Sequence, residues 1–126
     1  MDKDKLRDGR IKAMEILYVH DLLKLETTAV SEEHDRFVKE LISKYTPLAE
    51  KINNLISENL ENYTIDRLNF VDRAIIRLAV CELLSGTPKP VVINEYLEIT
   101  KEFSETDDYN SRAFNNRLLD KIAKSI

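Results

Sequence analysis

The stretch Asn69–Pro90, NFVDRAIIRLAVCELLSGTPKP, decides the fold. Val71, Ala74, Ile75, Leu78 and Ala79 recur at helical spacing, and Ile76, Val80, Leu83 and Leu84 fill most of the remaining circumference. A helix this apolar all round is predicted to sit at the centre of the molecule, packed on several sides. Gly86 most readily adopts the left-handed conformation that ends a helix, and Pro88 and Pro90 then prevent continuation.

Outward from this helix the pattern stays helical. Two glycines and three prolines punctuate 126 residues, and no sustained period-2 alternation bounded by hairpin turns leaves room for a sheet. A first helix is predicted over about Lys5 to Leu25, with Ile11, Met14, Leu17, Tyr18 and Leu22 on its inner stripe. Ser31, followed by Glu32 and Glu33, reads as the N-cap of a second helix. Thr46 and Pro47 read as the cap and first position of a third, with Leu48, Ile52, Leu55 and Ile56 on its apolar face. Asn62, Tyr63 and Thr64 make a break, and Asp66 to Asn69 a separate turn. The adjacent acids Asp107 and Asp108 read as the cap of the last helix. The expectation is an all-α bundle of six or seven short helices in one domain over residues 1–126.

Composition narrows the function classes. A chain 43% hydrophobic and 33% charged suits one soluble domain with a substantial core. No apolar run approaches the roughly 20 residues of a membrane span, and the N-terminus MDKDKLRD lacks a signal-peptide apolar segment, so a cytoplasmic location and no membrane partner are expected. Cys81 is the only cysteine, which excludes an internal disulfide, and its apolar helix favours a buried thiol over a nucleophile. His20 and His34 are isolated, and neither a glycine-rich phosphate loop nor a two-histidine metal spacing occurs. No catalytic residue, cofactor or metal is expected, and the chain reads as a binding protein rather than an enzyme.

Net charge is −4, but it is unevenly spread. Lys3, Lys5, Arg7, Arg10 and Lys12 outweigh Asp2, Asp4 and Asp8 by two; Arg112, Arg117, Lys121 and Lys124 outweigh Asp120 by three. Basic ends on an acidic body suit a small local RNA site, because phosphates are contacted at one edge while the rest repels them. Ordinary solvated helix ends give the same pattern.

The segment 69–90 resembles the central helix and following turn of the NusB transcription antitermination family. VVINEYLEITKEF (91–103) resembles the family's next helix; SRAFNNRLLDKIAK (111–124) resembles its closing helix, through Phe114, Asn116, Leu119 and Asp120. RDGRIKAMEILY (7–18) is similar to the opening helix, through Arg10, Ala13, Leu17 and Tyr18. Residues 26–64 match loosely, through Phe37 and Leu41. Three positions depart from the pattern: Tyr96 stands where a small alanine is usual, Ser104 replaces a frequent glycine, and Arg117 replaces the glycine after the asparagine.

The resemblance implies a factor that pairs with NusE, a small-subunit ribosomal protein, and holds boxA-type single-stranded RNA within the RNA polymerase antitermination complex, supporting transcription of ribosomal RNA operons. It further implies that the first and closing helices lie near one another and share the RNA. The candidate RNA-binding residues are then Lys3, Lys5, Arg7, Arg10, Tyr18, Arg112, Phe114, Asn115 and Asn116. Arginine forks suit phosphate or base edges and aromatic rings suit base faces. Tyr18 and Phe114 read equally as core residues. Tyr18 and Glu82 are the candidate partner contacts, with an intrachain ion pair as the competing reading for Glu82. The rival function is a self-associating helical module, a homodimer when NusE is absent, with merely solvated basic ends.

Overall fold

The computed structural model of the chain describes residues 2–25, 30–105 and 110–126. Asp107 and Asp108, expected to cap the last helix, lie outside the described residues. Among the described residues five α-helices follow one another: α1 (Lys3–Leu22), α2 (Arg36–Asn59), α3 (Phe70–Leu84), α4 (Lys89–Phe103) and α5 (Ser111–Ser125), with a short 3-10 turn at Ile65–Arg67 between α2 and α3. No strand occurs among the described residues.

α3 is the central helix that its sequence predicts. Ile75, Ile76, Leu78, Ala79, Val80 and Cys81 are all fully buried, and every other α-helix contributes side chains to the core around them. At about 1.5–3 kcal/mol for each large apolar side chain removed from water, Ile75, Ile76, Leu78 and Val80 make α3 one of the main contributors to stability. α1 and α4 run antiparallel to it. Arg10 of α1 meets Glu82 near the end of α3 while Asp21 meets Arg73 near its start; Tyr96 of α4 meets Glu82 while Ser104 meets Asp72. α5 brings Asn115 to Asp72, beside the start of α3, and its far end receives a hydrogen bond from Lys89 Nζ to the Ala123 carbonyl.

The count of six or seven helices is corrected to five because Thr46 and Pro47 do not open a helix. Pro47 lies inside the continuous α2. Proline removes one backbone donor and crowds the preceding turn. Here Ser43, Thr46 and Pro47 all face solvent, so the freed carbonyl is accessible to water, while Tyr45 before the proline and Ile52 after it are both buried in the core. Packing on the inner face overrides the local signal. Ser31 is likewise not a cap: α2 begins after Asp35, and Glu32 instead accepts a hydrogen bond from Lys39 Nζ at 3.4 Å.

α1 starts earlier and ends sooner than expected, after an Asp2 cap whose carboxylate accepts the Asp4 N–H at 3.0 Å. Its buried face is Gly9, Arg10, Ala13, Met14 and Leu17, whereas Ile11 and Tyr18 are half-buried and Leu22 is exposed. Gly9 explains the rotation: a Cβ there would come within 2.5 Å of the Phe37 ring, so only glycine lets α2 approach this closely. Gly86 ends α3 as predicted, with φ +93°. The Thr87 N–H reaches the Glu82 carbonyl at 3.0 Å and the Gly86 N–H reaches Leu83 at 3.3 Å, closing the terminal turn.

Candidate nucleic-acid interface

Arg10, expected on the RNA, is instead inside the protein. Its guanidinium grips Glu82 in two prongs, Nε to Oε2 at 2.7 Å and Nη2 to Oε1 at 3.0 Å, and Nη1 lies 3.7 Å from Glu95. The rings of Phe37 and Tyr96 lie 5.6 and 5.9 Å from its central carbon. Burial opposes its charge, but the hydrogen bond and charge of Glu82 outweigh that and raise its pKa above the ordinary arginine value. Only 5% of Arg10 and 4% of Glu82 are exposed. In this arrangement neither presents a free group to an outside molecule, and the intrachain reading of Glu82 is the one observed. Tyr96 is fully buried and its hydroxyl donates to Glu82, with the Thr87 hydroxyl donating at 3.3 Å. A buried carboxylate needs this many donors, because each unsatisfied oxygen would carry its desolvation cost unrelieved. Burial first, and then the Glu82 charge, push the Tyr96 hydroxyl well above its ordinary pKa.

Arg7 reaches Glu95 through Nη2 at 2.6 Å and Nε at 3.3 Å, leaving 31% of its side chain exposed. That hydrogen bond holds the Glu95 carboxyl below its ordinary range. Lys3 and Lys5 are exposed and make no ion pair among the described residues. These two lysines and the rim of Arg7 are the cations that α1 leaves accessible at its N-terminal end.

The second group lies elsewhere. Asn115, expected on the RNA, is fully buried, its amide donating to Asp72 Oδ1 and Thr100 Oγ1 at 3.2 Å each. It serves the start of α3, where Asp72 also accepts from Ser104 Oγ at 2.6 Å and Asn69 Nδ2 at 2.9 Å. Asn116 and Arg112 are exposed, Arg112 Nε standing 3.8 Å from Glu105. Phe114 is half-buried against the core, with its ring centroid 5.8 Å from that of Tyr63. Tyr18 is also half-buried, set edge-on to Phe70 at 6.4 Å. Core and surface roles therefore share both rings.

The candidate residues of the first and closing helices are anchored at opposite ends of α3. Arg7 and Arg10 attach to the end of α3 and to α4, whereas Asn115 attaches to the start of α3. Asp72 and Glu82 are ten residues apart on one helix, a separation of about 15 Å at the α-helical rise. Two clusters result. Asp21, which no sequence motif marks, accepts from Arg73 Nε at 2.9 Å and Arg77 Nη1 at 3.2 Å and so offsets the repulsion between these two arginines, one turn apart on α3. The mid-helix Gly9 is the one signal that could have placed Phe37 beside Arg10.

Among the described residues no helix is long and apolar enough to cross a membrane. Four helices packed on a buried fifth, α3, with cations and half-exposed rings at the surface, define an all-α bundle among the described residues. Residues 6–124 match the NusB family. The transcription antitermination protein NusB of Bacillus mycoides is 35% identical over 132 aligned positions, spanning 97% of this chain and 99% of the relative. The NusB of Treponema denticola is 46% identical over 74 residues, 57% of this chain and 52% of the relative. T. maritima NusB superposes with a TM-score of 0.81 at 34% identity, covering 94% of this chain and 90% of that one. A structure of antitermination factors NusB and NusE in complex with dsRNA superposes at 0.78, with 23% identity over 99% of this chain and 100% of the matched one, and so shares the fold. The chain belongs to the NusB family.

Proposed function

We propose that this protein is a transcription antitermination factor that acts by binding, pairing with NusE to hold boxA-type single-stranded RNA for the antitermination complex of RNA polymerase on ribosomal RNA operons, in the cytoplasm. The observation that carries this reading is family membership over residues 6–124, nearly the whole chain, which we read as one NusB-like domain. The fold shared with a NusB that was solved with NusE and double-stranded RNA supports NusE and RNA as partners, without bearing on strandedness or the boxA sequence.

Within the reading, the RNA side falls to residues that are exposed or half-exposed: Lys3, Lys5 and the rim of Arg7 at one cluster, Arg112, Phe114 and Asn116 at the other. Arg10, Glu82 and Asn115 act through them, by fixing the helices that present them. Tyr18, half-buried on α1, remains the candidate partner contact. Two weak RNA surfaces, one on each protein, combine into one usable site by raising effective concentration, and no bond is made or broken.

The test is fluorescence anisotropy of a labelled boxA-type oligoribonucleotide with Lys3→Ala/Lys5→Ala. If both lysines touch phosphates, affinity falls and the slope of log K against log salt flattens by about 0.7 per lost contact. Unchanged affinity and slope in a folded variant would mark the basic N-terminus as a solvated helix end.

A further inference from the structure

α5 and the chain leaving α2 enclose an open groove of about 400 Å³. Leu60, Phe114 and Leu118 supply its apolar lining, while Arg117, Lys121 and Glu61 supply its charges. Beside Phe114 stands Tyr63, 37% exposed, its ring tilted at 56° to that of Phe114 and lying 5.8 Å from the Arg67 guanidinium. The Tyr63 hydroxyl donates to the Arg67 carbonyl at 3.0 Å, which fixes the ring on the turn before α3. Arg117 is exposed and makes no ion pair among the described residues. Lys121 pairs with Glu61 at 2.7 Å, but both are well exposed, so water screens the pair and a stronger anion displaces the carboxylate at little cost.

Two adjoining aromatic rings and three nearby cations, in a chain whose net charge is −4, match a ligand that carries both a flat π-face and negative charge. A nucleic-acid duplex keeps its bases stacked within and offers mainly phosphates and groove edges; an unpaired strand offers the faces as well. We infer that this groove is a nucleotide subsite, where a base of single-stranded RNA stacks on Phe114 and Tyr63 while Arg117 and Lys121 hold the adjoining phosphates. The inference rests on the RNA-binding reading above and adds Tyr63, Arg67, Arg117 and Lys121 to it. Glu61 opposes the ligand: in the free protein it occupies Lys121, and in the complex it repels phosphate.

The sign of that opposition provides the test. A fluorescein-labelled single-stranded boxA-type oligoribonucleotide is titrated with the full chain plus NusE, across a salt series, for wild type and for variants that melt like it. Tyr63→Leu and Phe114→Leu are expected to weaken binding roughly 5- to 150-fold at an unchanged salt slope. Arg117→Gln and Lys121→Gln are expected to weaken it and flatten the slope by about 0.7 each. Glu61→Gln is expected to tighten it. The exposed Tyr63 variant keeps the test open should Phe114→Leu fail to fold. Wild-type RNA affinity in Tyr63→Leu, Arg117→Gln and Glu61→Gln alike would overturn the subsite while leaving RNA binding intact. Lost NusE association with unaltered RNA binding by the chain alone would overturn it in favour of a protein-docking surface. A wild-type chain that binds no RNA under any condition would overturn the proposed function and the subsite together.

Discussion

Arg10 of α1 and Glu82 of α3, 72 residues apart in sequence, form a two-pronged ion pair whose side chains are each only 6% exposed. The pair joins the first helix to the central one at the end where α3 stops. Tyr96 and Thr87 complete the carboxylate's donors, and Glu95 supports the guanidinium from α4. Replacing a buried pair as a unit often changes stability little; removing one member leaves the other charged and unpaired.

Glu82→Ala is therefore expected to cost about 3–5 kcal/mol of folding stability, because Arg10 is left uncompensated. Tyr96→Phe, which keeps the ring and removes only one donor to a charged group, is expected to cost about 1.5–3 kcal/mol. Urea denaturation midpoints at neutral pH measure both. A Glu82→Ala protein as stable as wild type but impaired in NusE binding would contradict the internal role.

Acid should loosen the same end of the bundle through Glu95. Its hydrogen bond from Arg7 holds the carboxyl below the ordinary value of 4.5. A carboxyl with a lower pKa folded than unfolded contributes stability that is fully present above the ordinary value and is lost as pH falls through the depressed one. Glu95→Gln is expected to be less stable than wild type at neutral pH, with the gap narrowing as pH drops below 4.5. A gap that stays constant down to acid unfolding would show that the ion pair is not its source.

Two helix ends make the same demand for a left-handed residue, and only one of them meets it with glycine. α1 closes with the same bonds as α3, Leu25 N–H to His20 carbonyl at 3.0 Å and Lys24 N–H to Asp21 carbonyl at 3.3 Å, but its left-handed residue is Lys24, at φ +54°. Gly86→Ala meets no atom within 4 Å and still should lose about 1–2 kcal/mol, from backbone strain alone. Lys24→Gly relieves the same strain against about 0.4–1 kcal/mol of added unfolded-chain entropy, so a net gain of up to about 1.6 kcal/mol is expected. Thermal melts of the two variants shifting in the same direction would count against this account.

What could be read from the sequence follows the range of the interactions involved. α3 and its stop were legible because nine apolar positions and Gly86 act within one segment. Pro47 misled because its local signal is strong, and only the burial of Tyr45 and Ile52 on either side shows why α2 continues. Asn115 looked like a surface residue because its partner, Asp72, lies 43 residues away. The pairing of Arg73 and Arg77 with Asp21 is hidden for the same reason, since the shared carboxylate is more than 50 residues distant. Tyr96 was visible as a departure from the family pattern, but its hydroxyl contact with Glu82 was not.

The most direct test of the account is isothermal titration of boxA-type single-stranded RNA into this protein alone, into NusE alone, and into the two together, preceded by titration of one protein into the other. The account predicts that the proteins associate and that the pair binds the RNA more tightly than either alone. No heat of association between the proteins, together with RNA affinity unchanged by NusE, would contradict it.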